Sequence, residues 1–150
     1  MKRHGEPAYR LFLDGYNCAQ AVFCAFEDMT GIDRDTGAAL ASSFGGGLGR
    51  MREVCGAVSG GAMVLGILKG YSDPKNGEAK KAHYALVREF AERFKEQNGS
   101  YICRELLGGV SVTPGGDPEE RTEQYYKKRP CPELVRQAAE ILDEMLGVNA

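Results

Sequence analysis

The sequence predicts an all-α fold, a single compact domain of about five to seven helices around a central glycine-rich helix. Three observations predict it. Apolar residues recur at three- and four-residue spacing through most segments. Alternating strand patterns are nearly absent, with Gly109-Val110-Ser111-Val112 as the one short candidate. Asn, Asp, Ser and Pro stand where helices would start, and Gly where they would stop. A chain of 150 residues, 43% hydrophobic and 27% charged, has the balance of a globular protein rather than a disordered one. That length suits one domain, which buries roughly 68–70% of its unfolded surface. Neither a repeat nor a linker interrupts 1–150.

Taken in order, Pro7 sits in the first turn of a short helix through Leu13, closed by Gly15. Asn17 caps a second helix, whose stripe Ala19, Val22, Phe23 and Phe26 continues to a stop at Gly31. Asp33 or Asp35 starts a small-residue helix, Ala38 to Phe44, before the break Gly45-Gly46-Gly47-Leu48-Gly49. Cys55 to Gly70 forms the central helix and carries Gly56, Gly60, Gly61 and Gly66. Glycine costs about 1 kcal/mol per helical position relative to Ala, so this helix needs close approach by another backbone or a ligand. The uncharged run Val54–Leu68 is shorter than the roughly 20 residues of a membrane span and reads as a buried helix. Asp73-Pro74 opens a long amphipathic helix through Gln97, stopped by Gly99. Ser100 caps a short helix to Leu107, residues 108–118 form a loop, and Pro132 opens a last helix ended by Gly147.

The charges exclude one large class of partner. Lys plus Arg number 19 against 21 Asp plus Glu, a net charge of −2, and nucleic-acid binding calls for a basic excess. The start Met1-Lys2-Arg3-His4 has no apolar run of the secretory type, which places the expected compartment in the reducing cytoplasm. There an odd number of cysteines, five, points to catalysis, redox exchange or metal binding before structural disulfides.

Four of the five share one predicted setting. Cys18 follows the Asn17 cap, Cys55 opens the central helix, Cys103 lies in the first turn after Ser100, and Cys131 precedes Pro132. A helix N-terminus carries roughly half a positive charge and free amide donors, which favour a thiolate. Cations stand beside them: Arg50 and Arg52 before Cys55, Arg104 next to Cys103, and Lys127, Lys128 and Arg129 before Cys131. Cys24, with Gln20, Glu27 and Asp28 as its helical neighbours, lies on a polar, acidic face and is expected to stand apart. Cys55 is the expected attacking thiolate, with one of Cys18, Cys103 or Cys131 resolving the product.

Spacing leaves two chemistries open. No C-x-x-C pair occurs, and the four cysteines come one each from separate elements. Dithiol–disulfide or peroxidatic chemistry needs no cofactor. The alternative is a four-thiolate centre, Cys18, Cys55, Cys103 and Cys131 holding an iron–sulfur cluster or zinc, although such sites usually take ligands in close pairs. C-x-x-C-H is absent, which removes covalent haem.

The stretch Cys55-Gly56-Ala57-Val58-Ser59-Gly60, with Gly15-Tyr16-Asn17-Cys18-Ala19 before it and Cys103 and Cys131 after it, resembles the C-GCAxxG-C-C family of redox-active (seleno)proteins. The likeness runs from about Tyr9 to Leu146. It implies a small prokaryotic protein, often encoded near transporter genes, with redox activity at its cysteines. Members with selenocysteine in place of a cysteine favour thiol chemistry over zinc. The family's site falls here on Cys18, Cys55, Cys103 and Cys131, with Gly56, Ala57 and Gly60 shaping it; Cys24 lies outside. The implied partner is a redox protein or a small-molecule substrate. A membrane transporter system is a further one, which the chain would serve as a structural partner with inert thiols.

Other features carry less. The Gly45–Gly49 run lacks the Lys-Ser/Thr of a phosphate loop and no strand precedes it. His83 shares a helical face with Val87, Phe90 and Phe94, which suits a core histidine better than a base to a thiol. Lys127-Lys128-Arg129 reads as a solvated cluster. Tyr125 and Tyr126 have no assigned role.

Overall fold

A computed structural model describes residues 3–108, 115–118, 120–123, 125 and 129–148. Among them the chain forms α1 (Gly5–Leu13), α2 (Cys18–Ala25), α3 (Glu27–Thr30), α4 (Arg34–Ala41), a 3-10 turn (Ser42–Phe44), α5 (Gly56–Lys69), α6 (Gly77–Asn98), α7 (Cys103–Leu106) and α8 (Cys131–Leu146). The all-α expectation holds. The strand candidate at 109–112 lies outside the described residues, and the described ones hold a single isolated bridge, Val54 with Ile102. No helix among them is long and apolar enough to cross a membrane.

Local signals set most boundaries. Asn17 accepts from the Gln20 amide while the Gln20 side chain accepts from the Asn17 amide, a reciprocal cap that starts α2. Asp33 caps α4 through the Thr36 amide. Gly31, Gly99 and Gly147 close their helices with φ of 73°, 86° and 74°, the left-handed conformation glycine adopts without strain.

Three boundaries differ from expectation. The second helix breaks at Phe26, whose fully buried ring stacks on His4 with centroids 4.0 Å apart; packing there outweighs continuing the helix. The long helix starts at Gly77 rather than at Asp73-Pro74, because Asn76 supplies the cap to the Ala79 amide. Ser100 is not the cap of α7. Its hydroxyl accepts from Ile102 N–H and donates to Glu105, so the helix begins one residue after Ile102.

The core is one cluster of buried side chains from α1, α2, α5, α6 and α8. Its closest crossing explains the glycines of α5. A Cβ on Gly60 would lie 2.5 Å from the carbonyl oxygen of Ala19, and one on Gly56 would meet Ala19 N at 3.0 Å and Cys18 Cβ at 3.1 Å. Glycine there lets α5 seat directly on the start of α2. Gly61 does the same for the Phe90 ring of α6, at 2.3 Å from where a Cβ would be. A Cβ on Gly66 would meet nothing within 4 Å, so no close approach explains that glycine.

Candidate functional site

The four widely spaced cysteines meet because four helix starts converge. The α2–α5 crossing brings Cys18, first residue of α2, to Cys55, the cap residue of α5. A short antiparallel contact then draws in Cys103: its amide donates to Glu53 O at 2.6 Å, and the Cys55 amide donates to Tyr101 O at 2.8 Å. Cys131, first residue of α8 after Pro130, completes the ring. All four line one cavity of about 60 Å³, with Gly56, Arg52, Arg121, Tyr125 and Arg129 among the other walls. Phe12, Leu106, Leu107 and Leu134 add an apolar side to it, and Asn17 a polar group.

The segment feeding Cys55 is unusual. Gly46, Gly47 and Gly49 have positive φ, as glycine permits, but so do Leu48 (71°), Arg50 (63°) and Arg52 (61°). Left-handed backbone costs a non-glycine residue roughly 1–2 kcal/mol, so three in five residues store strain beside the cavity. Its result is the position of Arg52, 4% exposed, whose Nη1 donates to Cys103 Sγ at 3.7 Å. A Cβ on Gly47 would strike Glu53 N and Cys103 Cβ, which is why the loop can wrap so closely.

A family model described as "Putative redox-active protein (C_GCAxxG_C_C)" matches residues 16–145, most of the chain. The chain belongs to that family. Comparison with curated proteins and with solved structures finds no match.

In this C_GCAxxG_C_C protein, burial rather than the helix starts decides the protonation of most thiols. Burial pushes Cys55 up to about 12, although the amides of Ala57 and Val58 at the start of α5 pull the other way. Cys103 is also raised by burial, against the opposing pull of Arg52. The Cys18 and Cys131 thiols act on each other. Interaction with Cys131, then burial, holds Cys18 well above the ordinary value. Interaction with Cys18 lowers Cys131, helped by Arg129, Arg121 and Arg52 against burial. The electrostatics therefore favour a thiolate at Cys131, not at Cys55.

The remaining expected residues divide. Arg50 lines an adjoining cavity. Ala57 is fully buried in the core of α5. Arg104 turns outward to Glu53 at 2.6 Å. His83 packs edge-on against Tyr71 and does not line the cysteine cavity, so it serves no thiol there as base. Cys24 stands apart as expected, but buried rather than on an open acidic face, its Sγ directed at Arg34 O at 3.7 Å.

One arginine, Arg121, escaped the sequence reading, and a second, Arg129, was named beside Cys131 but expected in solvent. Arg129, expected in a solvated cluster, is 6% exposed and lies over the Tyr125 ring at 4.8 Å. Lys127, Lys128 and Tyr126 lie outside the described residues. Arg121 donates to the carbonyls of Phe12 at 2.7 Å and Tyr16 at 2.8 Å, and its guanidinium stacks on the Phe12 ring. Tyr125 is the apolar plate between the two, its phenol pushed up to about 12 by burial. Among the described residues, no three of His, Cys, Asp or Glu are grouped so as to hold a metal ion.

Proposed function

We propose that the chain is a thiol–disulfide exchange protein in which Cys131 attacks and Cys18 resolves. The observation that carries this reading is the convergence of the four sulfurs on one cavity, where Cys18 and three arginines favour charge on Cys131. The Cys131 thiolate attacks one sulfur of a substrate disulfide. That sulfur bonds to Cys131, and the other leaves as a thiolate that takes a proton from solvent. Cys18, on losing its proton, attacks the Cys131 sulfur, closes a Cys18–Cys131 disulfide and releases the second substrate half as a thiol. The substrate gains two electrons and the cysteine pair loses two; a dithiol reductant restores the pair. Cys55 and Cys103, both held as thiols, complete the wall and reserve further reducing equivalents.

Stoichiometric oxidation of the reduced protein with a small disulfide, followed by non-reducing peptide mapping, tests this. A Cys18–Cys131 disulfide as the first product is expected. A first product pairing Cys55 with Cys103, or stoichiometric iron or zinc in anaerobically purified protein, would overturn the reading.

A further inference from the structure

Beside the cysteine cavity lies a second, wider one of about 340 Å³, sharing Arg52, Arg121, Tyr125 and Arg129 with it and adding Arg50. Its size falls in the range of small-molecule sites, roughly 300–1,000 Å³. Four guanidinium groups line it, and none of its described lining residues is acidic. Two of those arginines are fixed by contacts with carbonyls or aromatic rings, Arg121 on the carbonyls of Phe12 and Tyr16 and Arg129 on the Tyr125 ring. Arg52 differs again. It is nine-tenths buried or more, its strained backbone holds it at the junction of the two cavities, and its Nε has no hydrogen-bond partner. An unsatisfied buried donor on a cation costs several kcal/mol unless something accepts from it, and the acceptor that fits an arginine fork is an oxyanion.

We infer that the wide cavity is an anion-binding vestibule, and that the substrate exchanged at Cys131 is a small disulfide bearing carboxylates, its sulfurs in the narrow cavity and a carboxylate among the arginines. This deepens the exchange reading above and rests on it for the reacting group alone. The two cavities divide the labour by size and lining: the narrow one carries the four sulfurs and takes the disulfide, while the wide one, to which Arg50 is added, accepts the charged remainder. A protein disulfide would not need the second.

Three disulfides of similar size separate charge from reactivity: 3,3′-dithiodipropionate (anionic), bis(2-hydroxyethyl) disulfide (neutral) and cystamine (cationic). Reduced protein is mixed with each, and oxidation of the Cys18–Cys131 pair is timed. The expected order is anionic over neutral over cationic, with the anionic advantage roughly ten- to a hundredfold at low salt, as for charge-steered association. The advantage shrinks in high salt, as the screening length falls from about 30 to 3 Å. In Arg50→Gln the anionic-to-neutral ratio falls several-fold. A flat order, or cystamine fastest, overturns the vestibule while leaving exchange itself standing. Calorimetry with suberate, the redox-inert carbon analogue of dithiodipropionate, and with neutral 1,8-octanediol gives an independent arm. Suberate binding in the absence of any exchange would retain the anion site and refute the exchange reading; binding of octanediol equal to suberate would refute the site.

Discussion

Around His4 every polar atom has its partner. The backbone amide donates to Asp143 Oδ2 at 2.7 Å, Nδ1 meets Asp143 Oδ1 at 2.7 Å, and Nε2 meets Asp28 at 2.8 Å. The ring stacks on Phe26, and Asp143 is fully buried in α8. Around Cys131 the rules are reversed. A buried guanidinium has an unpartnered Nε, the loop that carries it is strained, and charge gathers in a wall with no acidic residue among those described. Both places are polar islands in an apolar core. The first ties α1 and the α2–α3 corner to α8, and satisfied groups of that kind stabilise. The second leaves the buried Arg52 Nε without an acceptor.

The difference is sharpest in Asp143→Ala, which orphans two groups of buried His4. A loss of about 3 kcal/mol is expected in urea unfolding. The Cys18–Cys131 oxidation rate in folded protein should stay as in wild type; a large fall in that rate would mean the two regions are not separable. Next in size is Gly60→Ala, whose methyl would press on the Ala19 carbonyl at 2.5 Å. Overpacking of this kind costs about 2 kcal/mol, and because the same crossing holds Cys18 beside Cys55, the disulfide map should broaden as well.

Much of this arrangement is legible in the chain itself. Asn17, Asp33, Gly31, Gly99 and Gly147 act locally, and each does in the structure what its neighbours in sequence predict. The cysteine quartet and the glycines that follow Cys55 were also readable, since a helix accepting so many glycines must be closely approached. The charge partners were legible only in part: Arg52 and Arg129 stand beside cysteines in the sequence, whereas Arg121 does not. Arg121 reaches carbonyls of α1 and the turn after it, contacts between residues more than 100 positions apart. Arg129 follows two lysines in a run that reads as solvated, yet it is buried and lies over the Tyr125 ring. The setting of Cys55 differs from expectation for a related reason. Helix-start charge can be read from a local pattern, but desolvation depends on what covers the thiol, and at Cys55 the covering prevails. Cys24 shows the same limit, since Gly37 of α4 lies close over its sulfur and closes a face that the helix pattern left open.

A third consequence concerns alkaline pH. Folding raises Cys55 from the usual value near 9.0 to about 12, so the native state holds that proton more tightly than the unfolded chain. Its stabilising contribution is complete below about 9 and is lost as pH rises toward 12. Wild type should lose stability faster than Cys55→Ala across that window, by about 1.4 kcal/mol per pH unit. Parallel slopes in urea titrations would contradict this burial argument. The smallest effect expected is at Leu48, which is exposed and left-handed at φ 71°. Leu48→Gly relieves about 1–2 kcal/mol of strain against the entropy glycine adds to the unfolded chain, a net gain of about 0.5–1 kcal/mol. A loss instead would mean that the loop carries no strain at that residue.

The central claim is that charge settles on Cys131. Titration of the reduced protein by its ultraviolet thiolate absorbance tests it without requiring a reagent to enter the cavity. The lowest-pH step should lie below the ordinary thiol range, vanish in Cys131→Ser, move upward in Cys18→Ala, which removes the neighbouring thiol, and persist in Cys55→Ser. Loss of that step in Cys55→Ser, with Cys131→Ser titrating like wild type, would contradict the account.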